Sequence, residues 1–256
     1  MKIYPVVFAF EKDSDFVWMK REFIRRIGAP LEEHTLFVDR AFAPSPVYLG
    51  YLERNRIRLI ERPDGFVPWP SWNHCLSKAG AYRSFLERVN PADDDYVLDM
   101  DSDAFLVGTE VLTHLGKADF VAFRFNDRMT WVERFGKEWA HSFGAFQAMR
   151  AGALRKATQL PGKDFDWIRD YLSKTPGSHL VCDHFVPLMM EVAGATSFYP
   201  NHGRLFAEGY PVEGPLLAGG GGYSVLHLYG EWKKFAGHAI EGKYDIPRVM
   251  RKIGAL

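Results

Sequence analysis

Residues 93–108 read DDDYVLDMDSDAFLVG, six aspartates within eleven residues wrapped around one short apolar run. The run Tyr96-Val97-Leu98 shows no polar alternation, the pattern of a strand buried on both faces of a sheet. Asp99, Asp101 and Asp103 alternate directly after it. Carboxylates packed this closely repel one another and lose hydration unless a cation neutralises them. The stretch reads as a buried strand that delivers a divalent-cation site at its carboxyl end.

Working outward, short apolar runs alternate with helical spacing. Ile3 to Phe10, Thr35 to Val38 and Ile57 to Ile60 read as three strands, and Tyr96 to Met100 as the fourth. Between them, Asp13 to Ile27 places Phe16, Val17, Met19, Phe23, Ile24 and Ile27 at helical spacing, with Gly28-Ala29-Pro30 as its stop. Trp72 to Val89 reads as a second helix. Downstream, Asp119 to Phe125 and Phe143 to Met149 read as strands, with helices from Ala151 and over Cys182 to Ala193. Strands alternating with helices predict an α/β fold with a mostly parallel sheet. Ligands of such sheets bind beyond the carboxyl ends of strands, where these acids lie. The four glycines Gly219 to Gly222 make a flexible loop.

The chain has 256 residues, enough for a core without disulfide staples. Lys plus Arg and Asp plus Glu each total 32, so no bulk charge points to nucleic acid or an anionic membrane. The basic runs at Lys20-Arg21 with Arg25-Arg26, at Arg54 to Arg58 and at Arg248 to Lys252 read as solvated helix faces. Two distant cysteines, Cys75 and Cys182, suit a reducing compartment. No stretch approaches the roughly 18 apolar residues of a membrane span. A cytoplasmic location is the expectation.

Three metal sites can use the acid string. In an EF-hand, Asp99, Asp101, Asp103 and Glu110 fall at loop positions 1, 3, 5 and 12, but Ala104 stands where the turn needs glycine, and a strand precedes the loop. In a haloacid-dehalogenase-type phosphatase, Asp99 is the nucleophile and Asp101 the second acid. That strand usually opens its fold, however, and here three strands come first. The third reading is a D-x-D motif formed by Asp101 and Asp103, with Asp99 supporting it.

DYVLDMDSDAFLVG resembles the D-x-D strand of glycosyltransferases with the A-type (GT-A) fold. Four further segments occur in that family's order: KAGAYRSFLERV (78–89), FGAFQAMRAGALRKA (143–157), LVCDHFVPLMM (180–190) and SVLHLYGEWKKF (224–235). The last resembles the His-x-x-Gly-x-x-Lys segment of the retaining galactosyltransferase and glycogenin-like family, although Lys234-Phe235 replaces its Pro-Trp.

The resemblance implies a single-domain, Rossmann-like nucleotide-diphospho-sugar transferase fold over residues 1–256. Its sheet is mixed but mostly parallel, with a nucleotide-binding half (1–110) and an acceptor half (111–256). It implies Asp101, Asp103 and His227 as ligands of Mn²⁺ or Mg²⁺. Donor contacts fall to Phe8, Ala9, Lys78, Arg83, Asp99, Ser102, Gly144, Ala145, Gly230 and Lys233. Asp183 becomes the catalytic residue, a general base if the reaction inverts instead, and His184 an acceptor contact. The implied reaction transfers a sugar from a nucleotide-sugar donor, a UDP-sugar first, to an unidentified acceptor with retention. Two alternatives stand beside it: the phosphatase using Asp99 and Asp101, and an inactive nucleotide-sugar-binding protein. A sugar nucleotidyltransferase would need a glycine-rich loop after the first strand, and Ala9-Phe10-Glu11-Lys12 supplies none.

Overall fold

The computed structural model describes residues 1–8, 20–21, 24–25, 27–38, 46–62, 71–101, 104–106, 108–174, 182–201, 205–208 and 224–227. Its strands in chain order are β1 (Ile3–Phe8), β2 (Thr35–Val38), β3 (Arg58–Glu61), β4 (Tyr96–Asp99), β5 (Ala104–Leu106), β6 (Phe120–Val132), β7 (Lys137–Arg150), β8 (Ser197–Phe198), β9 (Phe206–Glu208) and β10 (Val225–His227). Its helices are α1 (Pro46–Arg54), α2 (Trp72–Val89), α3 (Ala151–Thr158), α4 (Gly162–Lys174) and α5 (Cys182–Val192).

Seven strands form the central sheet in the order β3-β2-β1-β4-β7-β6-β8. β1, β2, β3 and β4 pair in parallel, as does β6 with β8, while β7 runs antiparallel to both β4 and β6. The sheet is mixed but mostly parallel, as the residue pattern predicts. β2 and β4 are buried at every position, whereas β3 at the edge buries only Ile60. A strand flanked on both sides and covered on both faces has no place for polar alternation.

The chain winds from β1 out to β3 and then returns to place β4 on the other side of β1. That reversal is a topological switch point, and it opens a crevice beyond the carboxyl ends of β1 and β4. Val6 pairs with Asp99 in register, so Phe8 and the acids after Asp99 border the same crevice.

Side-chain alternation on β4 divides the core. Val97 joins Tyr82, Phe85, Leu154, Ile168, Phe185 and Met189 under the helices. Tyr96 and Leu98 join Leu106, Val111, Phe123, Phe146 and Val225 on the opposite face. α2 is capped by Ser71, whose hydroxyl accepts the His74 N–H at 3.2 Å, and it stops at Asn90 in the left-handed conformation at φ 50°.

Several features go beyond the sequence reading, α1 and β8 among them. The strands expected at 119–125 and 143–149 are the inner parts of one long hairpin, which turns at Glu133–Phe135 and Gly136. α4 follows α3 directly. A second sheet, β5-β10-β9, rises from the chain just after the acids. Among the described residues no helix is long and apolar enough to cross a membrane.

Candidate active site

The described aspartates of the opening stretch do different work. Asp95 is 4% exposed; its carboxylate accepts the Lys2 N–H at 2.6 Å and the Ala92 N–H at 2.9 Å, closing the turn into β4. Asp93 pairs with Arg155 of α3. Both belong to the amino end of the strand, opposite the crevice.

Asp99 lies at the carboxyl end but faces inward. It is 2% exposed, and its Oδ2 stands 2.7 Å from Lys78 Nζ. The Tyr82 hydroxyl donates to the same oxygen. Lys78 and Tyr82 are one helical turn apart on α2, so a single face of the helix supplies both partners. Lys78 Nζ also lies 4.9 Å from the centre of the Phe8 ring, at the end of β1. Phe8, Lys78 and Asp99 are therefore brought together as a buried cluster, in which Lys78 is 5% exposed.

Beyond Asp99 the chain leaves the sheet, and Asp101 is half-buried at the crevice. Its N–H donates to the Gly144 carbonyl of β7 at 3.1 Å. Gly144 is the pivot of the site. A Cβ at this position would lie 2.5 Å from Asp183 Oδ1, 2.8 Å from Asp101 Oδ2 and 2.9 Å from Asp101 Oδ1. The absent side chain is the space in which two carboxylates meet. The backbone N–H of Gly144 lies on the Asp183 side and favours that carboxyl's charged form. Ala145 beside it is wholly buried.

Asp183 sits in the first turn of α5, half-buried at the crevice. Burial pushes its carboxyl above the usual range. Lys78, the Gly144 N–H and His227 act in the opposite direction, and Asp99 adds to the rise. Lys78, His227 and Asp99 are thus near enough for their charges to act on this carboxyl. His227 ends β10, in antiparallel register with Ala104. The three-residue strand β5 thus carries the histidine back to the acids from 123 residues further along the chain.

Asp103, Ser102, Ala9, Gly230, Lys233 and the Gly219 to Gly222 loop lie outside the described residues. Among the described residues no three His, Cys, Asp or Glu side chains close into a metal cage. The residues present nonetheless fit a hard divalent cation. Asp101 offers carboxylate oxygens at the crevice, and His227, whose charge acts on the neighbouring Asp183, offers one imidazole nitrogen, ligand chemistry that suits such a cation.

Two residues fall elsewhere. Arg83 does not reach the cluster; its guanidinium donates to the Thr158 carbonyl at the end of α3, because it lies on a different face of α2 from Lys78 and Tyr82. His184 is 5% exposed within α5, buried rather than presented at the crevice.

Sequence reasoning also missed a residue. Lys20, read as part of a solvated basic face, is 3% exposed, and its ammonium donates to the carbonyls of Asp101, at 2.6 Å, and of Ala104. Its apolar neighbours at helical spacing were the available signal, since they set which face of that segment turns inward.

No protein-family model matches the chain, and no curated protein matches it by sequence. Solved structures do match by shape. The galactosyltransferase LgtC, in complex with donor and acceptor sugar analogs, superposes with a TM-score of 0.57 over 99% of this chain and 96% of its own, at 15% identity. An active-site mutant of LgtC gives 0.57 over 99% and 100%, at 14% identity. The chain has the GT-A fold. Within that fold, the switch-point crevice beside β1 and β4 is where Asp101, Gly144, Asp183 and His227 converge.

Proposed function

We propose that this protein is a glycosyltransferase that moves a sugar from a nucleotide-sugar donor, a UDP-sugar, to an acceptor hydroxyl, with retention and with Mn²⁺ or Mg²⁺ bound. The observation that carries this reading is the meeting of the Asp101 and Asp183 carboxylates over Gly144, with His227 alongside, in a GT-A crevice.

In the reaction the bond from the anomeric carbon to the β-phosphate oxygen breaks. The acceptor oxygen takes the phosphate's place, and the acceptor proton and the nucleoside diphosphate leave. Asp101, Asp103 and His227 would hold the cation, which neutralises charge on the departing diphosphate. Lys233 adds a positive charge to the phosphates. Gly144 leaves room for the Asp101 and Asp183 carboxylates to meet, and its backbone N–H favours the charged form of Asp183. Asp183 accepts hydrogen bonds from sugar hydroxyls and so orients the anomeric carbon. Phe8 walls the donor side, and Lys78 anchors it from below through Asp99. The protein's own contribution is positioning and fixed charge.

The phosphatase reading loses support from the same geometry. A nucleophilic Asp99 would have to leave Lys78 and Tyr82 and reach a phosphorus atom from a position 2% exposed.

The test is donor binding and slow donor hydrolysis across UDP-, GDP-, ADP- and dTDP-sugars, with Mn²⁺ and with EDTA. Metal-dependent binding and turnover of one donor is the expected result. Metal-dependent binding without turnover would favour an inactive nucleotide-sugar-binding protein. No binding to any donor would overturn the reading. The product anomer, read by NMR, decides retention.

A further inference from the structure

We propose that Lys20 is a positioning residue that clamps the backbone of Asp101, an acid of the cation site, to that of Ala104. The inference rests on the cation-dependent reading above. Lys20 lies on the segment after β1, in described helical backbone, 81 residues from Asp101. The residue is 3% exposed. It donates to the Asp101 carbonyl at 2.6 Å and also to the Ala104 carbonyl, and it stands 5.2 Å from the centre of the Phe105 ring.

The geometry is that of a staple across a four-residue turn. The Ala104 N–H donates to the Asp101 carbonyl at 3.0 Å, closing the turn from inside. The ammonium then joins the carbonyls at the turn's two ends. Asp101 is fixed from the sheet side by its N–H on the Gly144 carbonyl, and Ala104 from the far side by its register with His227. One buried cation thus couples β4, β5 and, through β5, the histidine strand.

Burying an ammonium is costly, and an apolar side chain of the same length would fill the space without that cost. What an apolar chain cannot do is hold two carbonyl oxygens at one point. Three donors on a compact charge suit that task, and the ring face of Phe105 offers a further favourable contact to the cation. The backbone of the turn is set by Lys20 before any divalent ion arrives. The backbone that carries the Asp101 carboxylate therefore starts from a fixed place, and little reordering of it accompanies binding.

The experiment compares the full-length protein with Lys20→Met in three measurements. Mn²⁺ alone is titrated by calorimetry, amide exchange is followed at Ala104, and global stability is read by urea unfolding. The expected result is at least a tenfold loss of Mn²⁺ affinity and at least tenfold faster Ala104 exchange, with the variant still folded. Mn²⁺ affinity within twofold of the unaltered protein overturns the proposal. If the unaltered protein binds no Mn²⁺, the cation-dependent reading fails. The Ala104 amide then judges the clamp separately: faster exchange upholds it and unchanged exchange overturns it. Should Lys20→Met not fold, Lys20→Arg keeps the charge but not the compact head. A threefold or greater loss of Mn²⁺ affinity is then expected, and parity with the unaltered protein overturns the clamp.

Discussion

Lys78 Nζ and Asp99 Oδ2 stand 2.7 Å apart with side chains only 6% and 2% exposed, one turn of α2 against the end of β4. A pair this buried is held by mutual need. Each charge has lost its hydration, so removing either leaves the other uncompensated. Lys78→Met and Asp99→Asn should each destabilise the fold by about 3–5 kcal/mol. Tyr82→Phe should cost about 1.5–3 kcal/mol, the worth of a hydrogen bond to a charged group. Urea unfolding of the three variants measures this. A loss below about 1 kcal/mol for both charge variants would show that the pair is not the anchor described.

Gly144 offers a sharper test, because its replacement strikes carboxylates rather than core. A methyl at 2.5 Å from Asp183 Oδ1 and 2.8 Å from Asp101 Oδ2 forces both to move. Gly144→Ala should lower donor turnover by about a hundredfold, the scale set by misplacing reacting groups by about an ångström. The atoms displaced are side-chain ends, so the unfolding free energy should fall by no more than about 2 kcal/mol. Near-normal turnover in this variant would detach Gly144 from the site.

Arg83 should behave differently from Lys78. Its guanidinium holds the Thr158 carbonyl, so Arg83→Ala should cost about 1–2 kcal/mol of stability. Its KM for the donor should stay within about twofold of the unaltered protein, a difference far below one lost charge-assisted contact. A tenfold rise in KM would return Arg83 to the donor.

His34 contributes to the acid limit of the fold. It is wholly enclosed. Burial, with Arg21 and Lys20 nearby, lowers its pKa from 6.5 to about 3. The unfolded chain therefore binds a proton between about pH 6.5 and 3 that the native chain does not. Stability from this group is complete above pH 6.5 and falls as the pH drops through that window, by about 1.4 kcal/mol per unit. His34→Gln should flatten the acid limb of a stability–pH profile by that slope. An unchanged limb would place the acid sensitivity elsewhere.

Much of the architecture is legible because it is local. β2 and α2 have the bounds that the apolar runs predict, Thr35–Val38 and Trp72–Val89, since buried parallel strands and amphipathic helices write their periods directly into the chain. The hairpin of β6 and β7 is harder to read. Its register shifts between Ala122, Arg124 and Met129 break the alternation that would have shown its full length. α4 carries Phe165, Ile168 and Leu172 at helical spacing, a signal present in the residues. β5, β9 and β10 are each three residues long, too short for any period to declare itself.

By itself, then, the sequence determined a strand ending in acids, the helices and strands around it, and the order in which Asp101, Gly144, Asp183 and His227 arrive. What each acid does was decided only in three dimensions. Asp99 and Asp101 are two residues apart and chemically identical. One is neutralised by Lys78 from α2, while the other meets Asp183 over Gly144, its carbonyl held by Lys20. The physical reason is that a carboxylate's role follows from the charges and donors within a few ångströms of it. Those neighbours come from residues 21, 82 and 81 positions away along the chain.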